Sequence, residues 1–116
     1  MGLGAVLLQE NDGMKFPVMY ASRKLHDSEK RYATTEKECL AIIWAVQKFH
    51  RYLYGVKFVL ETDHEALAYI NHAKLSNSRV MRWAMVLQTY RFVVKVIAGK
   101  ENIGADLLSR CGTDKQ

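Results

Sequence analysis

From Thr34 to Leu53 the chain carries apolar residues at helical spacing with no glycine or proline, and no other stretch restricts the fold as much. Cys39, Ile42, Ile43, Val46, Phe49 and Leu53 define one apolar face, and Gly55 follows where a helix C-cap belongs. Thr34 or Thr35 offers an N-cap. Thr35-Glu36-Lys37-Glu38 matches the S/T-x-x-E capping box, which places Glu38 at the third helical position. A helix this apolar needs a sheet or other helices to cover it.

The flanking segments supply both. Residues 2–9 read as a strand, Asn11-Asp12-Gly13 as a turn, and Phe16 to Ser22 as the hairpin partner. Pro17 argues for an edge position in that partner. Arg23 to Arg31 is polar and loop-like. Val56 to Thr62 reads as a strand, Glu65 to His72 and Ser78 to Tyr90 as helices, and Phe92 to Ile97 as a valine-rich strand. Gly99-Lys100-Glu101-Asn102 turns the chain, Ile103 to Cys111 forms a last helix, and residues 112–116 fray. The order β-β-α-β-α-α-β-α predicts the α/β class, a mixed sheet flanked by helices in one domain over residues 1–111.

Composition narrows the function. The 116 residues suit one core, and 49% hydrophobic with 25% charged residues is ordinary for a globular chain. No apolar run reaches the roughly 18 residues of a membrane span, so no membrane partner is expected. Cys39 and Cys111 lack CxxC spacing and read as reduced thiols of a cytoplasmic protein. Lys and Arg exceed Asp and Glu by 17 − 12 = 5, compatible with nucleic acid but not specific for it. His50, His64 and His72 have no zinc spacing, the glycines make no phosphate loop, and neither Ser22 nor Ser109 sits in a nucleophile elbow.

Three acids remain. Glu38 opens the long helix, Asp63 ends the strand F-V-L-E-T-D, and Asp106 lies in the first turn of the expected last helix. Each has a structural explanation of its own. Glu38 closes a capping box, Asp63 caps the next helix, and Asp106 complements a helix dipole. Together they lie at element ends that one sheet edge could gather. Two such charges about 4 Å apart repel by roughly 4 kcal/mol at an effective dielectric of about 20. A gathered trio must therefore hold a cation or shift its pKa values, and carboxylates around Mg²⁺ are a common arrangement for phosphoryl chemistry.

The segments G-L-G-A-V-L-L-Q, F-P-V-M-Y-A-S-R-K-L, Y-A-T-T-E-K-E-C-L-A-I-I-W-A-V, F-V-L-E-T-D-H and G-K-E-N-I-G-A-D-L-L-S-R run through nearly the whole chain. In this order they resemble the ribonuclease H domain of reverse transcriptases from gypsy-type LTR retrotransposons. The resemblance implies a ribonuclease H-like fold and cleavage of the RNA strand of RNA–DNA hybrids. It implies two Mg²⁺ (or Mn²⁺) ions held by acids that correspond to Glu38, Asp63 and Asp106. It also implies an upstream reverse transcriptase domain in the same polyprotein, and a retroelement particle or the nucleus as further locations. Thr34, Thr35, Arg79 and Lys100 are candidate contacts to the nucleic acid.

The sequence departs from the family at its start. The family has a D-A-S strand ahead of G-L-G-A-V-L-L-Q, central in its sheet and carrying a further acid, and Met1 stands where that strand should have passed. The expectation is weak or absent cleavage by these residues alone. Unpaired edges are also expected on the Gly2–Gln9 and Val56–Thr62 strands. Two other readings are a noncatalytic scaffold or interaction module derived from a retroelement, and a simple nucleic-acid-binding domain with steep salt dependence.

Overall fold

The computed structural model describes residues 2–96 and, as a strand, residues 104–109. Strands β1 (Gly2–Asn11) and β2 (Met14–Lys24) form an antiparallel hairpin. Its two turn residues both have positive φ, 54° at Asp12 and 78° at Gly13, which suits the right-handed twist of the flanking strands. The register slips between Leu7 and Leu8, where Leu7 faces Met19 but Leu8 faces Pro17. Pro17 and this bulge both lie on an edge strand, as the sequence predicts.

The Arg23–Arg31 segment is more ordered than its composition suggests. A short 3₁₀ turn (Glu29–Arg31) closes it. Buried Glu29 accepts from Arg23 Nη1 and Nη2 at 2.8 and 3.0 Å and from the His26 amide at 2.8 Å. The long helix is two pieces, α1 (Thr34–Lys48) and α2 (His50–Leu53), with Phe49 at the break and Gly55 beyond at φ 78°. All six residues of the expected apolar face are buried.

The capping box lies two residues earlier than the sequence suggests. Ala33 is the N-cap, and Glu36, now the third helical residue, accepts the Ala33 amide at 3.0 Å. Alanine has no acceptor to offer, so only the backward half of the motif is built. Glu38 moves to the fifth helical position, outside the cap.

Strand β3 (Lys57–Thr62), helices α3 (His64–Ala73) and α4 (Ser78–Gln88), and strand β4 (Arg91–Val96) follow close to expectation. Strand β5 (Gly104–Ser109) does not. That segment was expected as a helix with Asp106 in its first turn. It lies instead between β1 and β3, parallel to the first and antiparallel to the second, giving the order β2-β1-β5-β3-β4. The edges expected to be unpaired are the ones it fills. Pairing on both sides satisfies backbone groups that would cost about 1–3 kcal/mol each if buried alone, which outweighs local helical preference. The expected turn at 99–102, the frayed tail, Cys111 and Lys100 lie outside the described residues.

Leu3, Ala5, Leu7, Phe58 and Leu60 form the sheet's contribution to the core. Cys39, Ile42, Val46 and Phe49 of the long helix lie over them, with Ala66, Ile70, Val80, Trp83 and Leu87 from α3 and α4. The result is the mixed α/β sheet with helices that the sequence predicts.

Candidate functional site

Helix α1 lies along α3, and side-chain bonds fix the pairing. Cys39 Sγ donates to the Ala66 carbonyl at 3.1 Å, and the Tyr69 hydroxyl donates to Glu36 Oε2 at 3.1 Å. The helices therefore run in opposite directions at this seam. Burial, with the charges of Glu38 and Glu36 added, pushes the Cys39 thiol up to about 12, so it stays protonated and keeps its donor.

The seam places two of the three acids. Glu38 immediately precedes Cys39 and is half-buried, on a helical row with Ala41, Ile42, Ala45 and Phe49, all of them buried. Asp63 is the N-cap of α3, three residues before Ala66. Its Oδ1 accepts the Glu65 amide at 2.9 Å, the capping role its position suggested. This bond uses one carboxylate oxygen and fixes the orientation of the other. Asp106 enters by backbone position, paired with Glu61 of β3 on one side and Val6 of β1 on the other. Glu61 is two residues before Asp63, so Asp63 and the backbone position of Asp106 both lie near the C-terminal end of β3. Among the described residues no group of three His, Cys, Asp or Glu side chains is arranged to hold a metal ion.

Of the expected nucleic-acid contacts, Thr34 is exposed and Thr35 half-buried in the first turn of α1. Arg79 is engaged within the molecule. Its Nη2 donates to Glu36 Oε2 at 2.7 Å, and its guanidinium lies 4.2 Å from the Tyr32 ring centroid and 5.4 Å from that of Trp83. Burial and the Glu36 carboxylate raise the pKa of the Tyr69 hydroxyl.

Two features escaped the sequence reading. The Glu36–Tyr69–Arg79 junction joins three helices, and only Glu36 at the third position after Ala33 hinted at it. Glu61 is buried and pairs with Lys15 Nζ at 3.1 Å, although β2 and β3 are separated by two strands. An acid interrupting the apolar run F-V-L was the available signal.

Residues 1–90 match a family described as the RNase H-like domain found in reverse transcriptase. The chain belongs to this family. Glu38 and Asp63 fall inside the match and Asp106 beyond it. The chain is 41% identical over 95% of its length to a retrovirus-related Pol polyprotein from transposon 297 of Drosophila melanogaster, covering 10% of that relative. It is 39% identical over 94% of its length to the Pol polyprotein from transposon gypsy of the same fly, again covering 10%. It is 39% identical over 91% of its length to a genome polyprotein of Petunia vein clearing virus, covering 5% of it. This RNase H-like chain thus spans a tenth or less of these relatives. Among its described residues no helix is long and apolar enough to cross a membrane.

Proposed function

We propose that this RNase H-like domain, when completed by the family's first strand within a retroelement polyprotein that also carries an upstream reverse transcriptase domain, cleaves the RNA strand of RNA–DNA hybrids. The observation that carries the reading is the seam between α1 and α3, which sets Glu38 and Asp63 on its two sides in a fold of this family. The register of Asp106 opposite Glu61, two residues before Asp63, supports adding it to the proposed set.

The donors are all carboxylate oxygens, which suit hard cations such as Mg²⁺ or Mn²⁺. Such ions, when bound, supply Lewis acidity that activates water and stabilises the departing 3′ oxygen. Glu38, Asp63 and Asp106 would hold them, and the bond to the Glu65 amide keeps the Asp63 carboxylate oriented. Thr34 and Thr35, in the first turn of α1, would donate to sugar or phosphate oxygens, and the 2′-hydroxyl distinguishes RNA from DNA at such contacts. Arg79 and Lys100 complete the proposed set of phosphate contacts. The cytoplasm, a retroelement particle or the nucleus are the proposed locations.

A second reading, a noncatalytic interaction module on the same fold, is favoured by one observation: Asp106 lies in a strand, not a helix. One assay separates the two. A labelled RNA–DNA hybrid is incubated, with and without Mg²⁺, with the 116-residue chain and with a chain extended through the family's first strand. Mg²⁺-dependent cleavage is expected from the extended chain and little from the shorter one. Cleavage that survives Glu38→Gln or Asp63→Asn removes the proposed site, and no cleavage by the extended chain favours the second reading.

A further inference from the structure

Three rings form a ladder at the C-terminal end of the long helix. Tyr90 meets His50 edge to face at 5.6 Å, with a 2.6 Å hydrogen bond between its hydroxyl and His50 Nδ1. His50 in turn stacks on Tyr54, with 5.1 Å between centroids and 29° between planes. The inner end of the ladder is buried, since Tyr90 also packs against Phe58 of the core. The outer end is open, and Tyr54 is 60% exposed. His50 takes one face of the Tyr54 ring, and among the described residues no ring or guanidinium takes the other.

Exposed cations flank this ring along the chain. Arg51 lies three residues earlier in the same helical turn, which the Tyr54 amide closes by donating to the His50 carbonyl at 2.9 Å. Lys57 opens β3 three residues later, and Arg91 is its register partner in β4. Phe58 and Phe92 take the core side of these strands, so alternation puts Lys57 and Arg91 on the outer side. Tyr54 thus stands on the connection between the helix layer and the sheet, with one cation before it and two beyond. Among the described residues none of the three makes an ion pair. The stretches that hold them, 39–60 and 66–100, contain no Asp or Glu.

We infer that this end of the molecule binds single-stranded nucleic acid, with one base stacked on the open face of Tyr54 and the flanking phosphates held by Arg51, Lys57 and Arg91. A flat ring with a free face, and cations to either side of it, complements an alternation of base and phosphate. An acidic peptide would use the cations and leave the ring idle. A duplex fits less well, because its bases are already stacked on one another. At about 3.3 Å per residue along β3, Lys57 lies about 20 Å from Asp63. The surface is therefore distinct from the proposed acids and does not depend on Mg²⁺ or on cleavage.

The test is fluorescence anisotropy of the full 116-residue chain, in EDTA, with a fluorescein-labelled oligothymidylate and with an abasic strand of equal length and charge. Saturable binding that weakens with salt is expected, about fivefold or more tighter for the strand that carries bases. Tyr54→Ala should bind both strands alike, while Tyr54→Phe keeps the ring and should keep the preference. Lys57→Glu and Arg91→Glu replace exposed side chains and leave the ladder intact. Each should weaken binding of both strands and lower the salt slope, with melting temperatures like the parent's. The inference is overturned by equal affinity of the parent for the two strands, by a base preference that survives Tyr54→Ala, or by its loss in Tyr54→Phe. It is equally overturned by parental affinity and salt slope in both charge variants. Displacement by an oligoglutamate of equal length as effective as by unlabelled oligothymidylate would also overturn it, and would assign the face to an acidic protein.

Discussion

Glu29 lies where the loop between the hairpin and the first helix must be held. Arg23 grips both its oxygens, and the carboxyl titrates at about 2 in place of 4.5, chiefly through the Arg23 hydrogen bond and against the opposing effect of burial. A folded pKa below the unfolded one means that folding favours the ionised form. The resulting stability is complete above pH 4.5 and is lost as pH falls toward 2. Glu29→Gln should therefore flatten the fall in melting temperature across that window. An unchanged acid slope in the variant would show that Glu29 is not the group responsible. Glu36 invites a second prediction, because one carboxylate serves the Ala33 amide, the Tyr69 hydroxyl and Arg79 at once. Tyr69→Phe removes one of those bonds and should cost about 1 kcal/mol in urea unfolding. Glu36→Ala should cost more, since it leaves the Arg79 guanidinium unpaired in a half-buried site. Equal costs would mean that Arg79 contributes nothing through Glu36.

Elements whose ends are marked by local chemistry were legible in the sequence. Asn11-Asp12-Gly13 announced the hairpin because only a few residues accept positive φ, and both Asp12 and Gly13 adopt it. Pro17 announced an edge strand because it cannot donate to a ladder. Gly55 announced the helix end for the same conformational reason as the turn. No neighbouring atom lies within 4 Å of a Cβ built at Gly55, so Gly55→Ala tests conformation without a clash. It should cost about 1 kcal/mol in chemical denaturation, and a neutral result would mean that the backbone relaxes there. The start of α1 was less legible, because Thr35 with Glu38 and Ala33 with Glu36 are overlapping frames for one cap. The sequence favours the threonine, and the folded chain uses the alanine because Glu36 can also reach Tyr69 and Arg79. The same limit hid the pairing of Lys15 with Glu61, which depends on how the hairpin lies over the sheet. Of the proposed acids, Asp63 was legible as the N-cap of α3, whereas Glu38, expected inside the capping box, lies beyond it. Asp106 was legible as a residue but not in its setting.

At the scale of the whole molecule, the placement of residues 104–109 decides whether one sheet exists or two. Strand β1 pairs with β2 on one side and β3 with β4 on the other, and among the described residues only β5 joins these halves. Its sequence G-A-D-L-L-S has no β-branched residue, so local propensity does not explain the strand. The explanation is tertiary: β1 and β3 each have an edge to satisfy, and one segment satisfies both. Leu107 is central to this arrangement, in register with Leu7 of β1 and Leu60 of β3, two of the most buried residues of the core. Proline at this position cannot donate a backbone hydrogen bond. In a strand paired on both sides the lost bond falls on a ladder whichever way the amide points. Leu107→Pro should lower stability by about 3 kcal/mol or more. Its mark in hydrogen exchange should be specific, with faster exchange in β1 and β3 and slower change in the β1–β2 ladder, which has its own pairing. If Leu107→Pro leaves both the urea midpoint and the exchange of β3 amides unchanged, β5 does not hold the two halves together. The position of Asp106 opposite Glu61, and with it the third acid of the proposed site, would then have to be abandoned.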